Sequence, residues 1–290
     1  NLTTSYEYDA RGNVTRCVDP RGTPTDFEVN ALNQRIGRQT QGATFGERVR
    51  AEFHYDAADR IVRVERGNLD ASGSFDPNGG SIAYAYDPLH RLIRSVVASP
   101  DTSLSLTNEF VYDGNDRLVL ARSPQAVQGG DAFHVTQTAY DERGLPFREI
   151  RAPGSPLQAT TQYDYDGNGN LRATRSGLEA ADGPRVTECA YDGLDRRIRV
   201  TDPMGNERRF DYDLNDNLVR QTVYGETADV PGGASNRRLS DTRYAYDTLD
   251  RLVTFRPAFF DIFTQLPIGD GFQDNTIVYA PNGLVIATTN

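Results

Sequence analysis

Hydrophobic and polar positions alternate in short runs along the chain, and most runs end the same way. An aromatic residue, one spacer and a second aromatic close segment after segment, at Tyr6, Phe53, Tyr84, Phe110, Tyr163, Phe210 and Tyr244 with the Tyr two places on. A spacing of two sets both rings on one face of a strand, whereas a helix would separate them. Each such segment therefore predicts the end of a β-strand. Asp follows the Tyr in nine clear copies: Tyr8-Asp9, Tyr55-Asp56, Tyr86-Asp87, Tyr112-Asp113, Tyr140-Asp141, Tyr165-Asp166, Tyr191-Asp192, Tyr212-Asp213 and Tyr246-Asp247. Asp suits the first place of a type I turn, because its carboxylate accepts the turn's own amides.

The fourth residue after the Tyr is Gly, Asp, Asn or His: Gly12, Asn33, Asp59, His90, Asp116, Gly144, Gly169, Asp195, Asp216, Asp250 and Gly283. Gly, Asn and Asp tolerate a left-handed backbone best. Arg or Asn often comes next, and an aliphatic (Val14, Ile61, Leu92, Leu118, Leu171, Leu218, Leu252) then opens a return strand. Strand, tight turn with one left-handed residue, strand is a β-hairpin. Val29 and Tyr279 head worn copies of the unit.

From position 8 to 246 the units step by 21 to 34 residues, with a mean of about 26. A period in that range is the mark of a repeat array. The predicted fold class is all-β: antiparallel hairpins joined into a curved or spiralling strip. Residues 1–254 read as the array, about ten hairpins, and 255–290 as a divergent last repeat with an aromatic-rich insertion. Asp19-Pro20-Arg21-Gly22 and Asp202-Pro203-Met204-Gly205 predict a second turn opposite the first. Longer connectors, 67–81, 124–131 and 225–240, read as Gly/Ser/Asn/Pro loops.

Composition bears on function mainly through absences. All 31 basic residues are Arg, so P-loop, Schiff-base and Ser-Lys chemistries are excluded. A net charge of −10 disfavours nucleic acid and anionic membranes. No apolar run approaches the ~18 residues of a membrane helix. The sequence has no initiator Met and no signal peptide, and reads as an interior piece of a longer chain. Cys17 and Cys189 cannot form a local zinc knuckle; they read as two separate buried thiols rather than a disulfide.

Repeats such as YDARGNVTRCVDPRG and YDGLDRRIRVTDPMG resemble the RHS family, also called YD repeats. The resemblance spans about 1–254 closely and 255–290 faintly. It implies a strip of hairpins that spirals into a hollow shell. In bacterial members such a shell encloses a toxic polypeptide, and in animal teneurins a similar shell serves adhesion. The family's self-cleavage site carries Asp before Pro-Ile-Gly. Here Leu266 precedes Pro267-Ile268-Gly269, so no protease is carried over. The resemblance thus implies shell wall without cutter or cargo. It implies secretion or a bacterial cell-surface location, with further repeats and a toxin or effector domain as partners.

Candidate chemistry is sparse. Asp164-x-Asp166-x-Asn168-Gly169 starts like a calcium loop, but the twelfth place is Arg175 where an EF-hand needs a bidentate Glu. The hairpin explains Asp166, Asn168 and Gly169. His54, His90 and His134 share no metal-ligand spacing. No catalytic residue, cofactor or metal site is expected. Arg residues at the fifth place read as local partners of the turn carboxylates, or else as a glycan surface beside stacking Tyr rings. Asn1-Leu2-Thr3 and Asn13-Val14-Thr15 are formal glycosylation triplets of little weight.

Three readings follow. The first is a non-catalytic wall segment of a shell around an attached toxin polypeptide. The second is an adhesion or glycan-binding repeat, self-assembling through unpaired strand edges into a stack of copies. The third is a carbohydrate-active enzyme, which requires two close carboxylates, one with a raised pKa.

Overall fold

In the computed structural model, the structure describes residues 3–41, 48–69, 72–100, 105–227 and 235–289. The Asn1 triplet lies outside these residues. The described residues form 24 strands and one single-turn helix, Pro124–Val127. The chain divides into two compact units, Asn1–Thr138 with Arg151–Pro156, and Ala139–Ile150 with Leu157–Asn290.

In the first unit, strands pair antiparallel with their sequence neighbours. Ser5–Tyr8 pairs with Val14–Val18, which pairs with Pro24–Val29, and the order continues through Arg35–Gln41 and Arg48–Tyr55 to Ile61–Leu69. Ile61–Leu69 is forked. Its far end pairs with the two-residue strand Phe75–Asp76, and its near part with Ser81–Tyr86. The second unit repeats the plan, with Leu252–Phe260 as its forked strand. The fork begins at Asn275–Tyr279 near the turn and ends at Pro267–Phe272.

Nine unit turns, those of Tyr8, Tyr55, Tyr86, Tyr112, Tyr165, Tyr191, Tyr212, Tyr246 and Tyr279, show the same register shift at the Tyr; Tyr55 faces Ile61 while His54 faces Arg63. The extra residue is the second of the return strand, Val62 here, three places beyond the left-handed Asp59 of the turn. All eleven positions expected to be left-handed have φ between +57° and +89°. Each expected return-strand aliphatic, from Val14 to Leu252, is the first residue of its strand. Gly22 and Gly205 close the opposite turns with φ of +84° and +86°.

Three connectors differ from the expected loops. Residues 67–69 and 75–76 are strand, because Gly67 lets the Asp76 backbone approach closer than any side chain would allow. Pro124–Val127 forms a helical turn, started by a Pro that needs no amide partner there. Residues 237–240 open the ten-residue strand Arg237–Tyr246. Cys17 and Cys189 are free thiols, half-buried rather than buried.

Among the described residues, Ala173 is the one buried hydrophobic side chain. The accessible surface is 18688 Å². A compact monomer of 32.1 kDa exposes roughly 12,000 Å². A single sheet layer buries little apolar area, so its cohesion rests on ladders, turns and links between hairpins.

Candidate functional site

The chemistry concentrates at the Tyr-Asp turns. In all nine clear copies (Asp9, Asp56, Asp87, Asp113, Asp141, Asp166, Asp192, Asp213 and Asp247) the carboxylate Oδ1 accepts two backbone N–H groups. They come from the second and fourth residues on, at 2.8–3.0 Å. Asp56 shows the full pattern. Its own N–H donates to the Arg60 carbonyl at 2.9 Å, and its Oδ2 accepts Arg60 Nε at 2.7 Å. The Arg60 hydrogen bond holds the Asp56 carboxyl below the usual carboxylate range.

Eight of the Tyr residues then tie their units to the ones before. The Tyr86 hydroxyl donates to the Ile61 carbonyl at 2.9 Å, and Tyr112 to Leu92 at 2.9 Å. Tyr55, Tyr165, Tyr191, Tyr212, Tyr246 and Tyr279 do the same at 2.8–3.1 Å. The acceptor is always the residue six places after the preceding unit's Tyr position. Burial pushes the phenols of Tyr86, Tyr165, Tyr191 and Tyr246 up, which keeps them donors.

The fifth residue after the Tyr reaches forward. Arg60, Arg91, Arg196 and Arg251 lie over the rings of Tyr86, Tyr112, Tyr212 and Tyr279, at 4.6–4.9 Å from the centroids. Arg91 NH1 also donates to Asp116 Oδ1 at 2.8 Å, and Arg196 NH1 to Asp216 Oδ1 at 2.9 Å. Where the fifth residue is Asn, its amide takes the same course: Asn170 to Asp195 at 2.6 Å and Asn217 to Asp250 at 2.8 Å. The left-handed Asp thus does two jobs, shaping its own turn and receiving the previous unit.

One of the nine clear copies lacks a polar fifth residue. Leu145 stands there, and the next left-handed residue is Gly169, which has no side chain to be met. Arg143, two places earlier, substitutes. It bonds Asp141 Oδ2 at 3.1 Å and the Asp166 carbonyl at 2.6 Å, over the Tyr165 ring.

The other sequence candidates sit elsewhere. Asp164 forms an ion pair with Arg175. His90 is a turn residue, His134 lies 3.2 Å from Asp131, and His54 lies 2.9 Å from Glu65. A polar recess of about 480 Å³ includes Asp164, Arg175, Glu188 and Arg199 in its lining. Every described carboxyl whose pKa moves is moved down; Glu179, bonded by Thr160 and Gln158, falls to about 2. Sequence reasoning missed the forward and backward links. Their only signal is the pairing of a fifth residue in one unit with a fourth residue some 25 positions on, and glycine in the receiving place hides it.

The segment 255–273 folds beside the charged residues of strand Arg237–Tyr246. Arg238 lies 4.0 Å from the Phe260 centroid and Arg243 5.1 Å from that of Phe272. Asp241, 2 % exposed, accepts Arg220 at 2.9 and 2.8 Å and Arg238 at 3.2 Å.

A family model described as RHS Repeat matches residues 191–228. No curated protein sequence matches the chain. Among solved structures, the chain is similar to one described as TcdB2-TccC3-Cdc42, with a TM-score of 0.58 and 14% identity, over 99% of this chain and 15% of that one. The Tc holotoxin pore of Photorhabdus luminescens gives a TM-score of 0.58 and 14% identity, over 98% of this chain and 15% of that one. TcdB2-TccC3-TEV gives 0.54 and 17%, over 97% and 14%. The chain spans about a seventh of the length of these relatives.

Proposed function

We propose that this chain, an array of RHS repeats by motif and by fold, is a non-catalytic stretch of shell wall that sequesters an attached polypeptide. One observation carries the reading. The nine repeat Asp residues and eight repeat Tyr residues, from Tyr55 to Tyr279, spend their polar atoms on closing turns and linking hairpins. A wall needs continuity, and the Tyr hydroxyl to carbonyl series supplies it. The downward carboxyl shifts offer no group poised as a general acid. The Arg layer lies on the faces of Tyr86, Tyr112, Tyr212 and Tyr279, the faces a sugar would stack on. That disfavours the glycan reading. We take residues 1–254 as the array and 255–290 as its modified end. Further YD hairpins would be the partners at both edges, because a preceding unit would offer the Tyr8 hydroxyl a carbonyl. No described helix is long and apolar enough to cross a membrane, and export of the parent protein is part of the proposal.

Limited proteolysis of the full-length gene product tests this. The attached polypeptide should resist protease in the parent and be cut in a triple Tyr191→Ala, Tyr212→Ala, Tyr246→Ala variant. Equal cutting in both would sink the containment role.

A further inference from the structure

The turn chemistry uses neither His54 nor the glutamates beside it. Strands Arg48–Tyr55 and Ile61–Leu69 set Glu52 directly opposite Glu65, and His54 opposite Arg63. Like charges opposed on neighbouring strands repel. Arginine relieves only part of this. Arg50 Nε donates to Glu52 Oε1 at 2.8 Å, and Arg63 NH2 lies 2.7 Å from Glu65 Oε1. Each carboxylate keeps an Oε2 that these arginines do not hold, and His54 Nε2 lies 2.9 Å from that of Glu65. Arg50 is shared with a third carboxylate, Glu28. Among these side chains, three carboxylates meet two guanidiniums, which leaves one negative charge in excess.

One donor atom each from Glu52, His54 and Glu65 lies within 4.8 Å of the other two. We infer that these three side chains form a divalent transition-metal site of the zinc class, clamping the hairpin 48–69. The donor set decides the class. One imidazole nitrogen with two carboxylate oxygens suits zinc-like ions, whereas calcium and magnesium take oxygen alone. Ligand bonds of about 2.0–2.2 Å are reached by rotation of these half-exposed side chains. The ligands stand on two strands already hydrogen-bonded to each other, so the backbone is fixed before the ion arrives. Arg50 and Arg63 act from outside, orienting the carboxylates they hold. Three protein ligands leave a coordination position for water or a further donor. The sequence hides this site because its ligands are thirteen residues apart at the widest and meet only through cross-strand register.

Titration of the whole chain with Zn²⁺ by calorimetry, and with Co²⁺ by visible absorption, tests it. One ion should bind per chain, with a cobalt band. Both signals should vanish in His54→Gln and in Glu65→Gln, and persist in His90→Gln and His134→Gln. Circular dichroism in chelator should match the parent, which separates ligand loss from unfolding. No binding by about 1 mM Zn²⁺, or binding that survives either ligand substitution, overturns the site.

Discussion

A repeat tyrosine is useful at both ends. Its ring supports the guanidinium of the preceding unit, and its hydroxyl reaches that unit's backbone. Tyr86→Phe separates the two, since it keeps the ring under Arg60 and removes only the bond to the Ile61 carbonyl. The expected cost is about 1 kcal/mol, the net worth of one hydrogen bond. Urea unfolding measures it, and a Phe variant as stable as the parent would show the bond to be idle. At the same scale, Asp241 is a buried acid held by two arginines, and the most buried side chain among the described residues. Such a triad is costly to strip of one partner even where the whole adds little to stability.

At the scale of the element, the hairpins were legible and the connectors less so. Aromatic-x-Tyr fixed strand ends because a two-residue period belongs to strands alone. Asp, then Gly, Asn or Asp three places later, fixed the turns because few residues accept positive φ. The links between turns were not legible, since Arg60 and Tyr86 meet only when two hairpins lie side by side. The connector at 67–81 shows why loops misled. Gly67 reads as a loop glycine, yet it sits inside Ile61–Leu69, and a Cβ there would lie 1.8 Å from the Asp76 carbonyl oxygen. Gly67→Ala must push the backbone apart, which costs well over the ~1 kcal/mol that replacing a glycine gains elsewhere in a strand. Hydrogen exchange should show faster exchange at Asn68 and Leu69, where Phe75–Asp76 pairs, and unchanged exchange at Tyr86. Equal protection in parent and variant would refute this close-approach account.

At the scale of the molecule, acid should undo the array broadly rather than at one place. The turn carboxyls Asp56, Asp113 and Asp247 are each held low, first by the side-chain bond from Arg60, Arg117 or Arg251. A carboxyl lowered in the folded state contributes fully above its unfolded value, ~3.9 for Asp, and loses that contribution as pH falls through the folded value. Glu179, at about 2, is among the last to go. The 31 arginines stay charged throughout, so repulsion grows as the carboxylates vanish. Stability by circular dichroism should hold down to roughly pH 4 and then fall over a wide span. A sharp loss near neutral pH would contradict it.

The links between hairpins also bear on how such a chain can lengthen. A unit headed by Tyr carries both a lock and a key: a carbonyl for the Tyr that follows, and a Tyr for the carbonyl that precedes. A duplicated stretch of about 26 codons would therefore arrive already fitted to both neighbours. The exception is the receiving place: a copy headed by Gly169 accepts any predecessor, while one headed by Asp195 or Asp250 rewards only a donor before it. Heredity could shuffle the first kind freely and would hold the second in order.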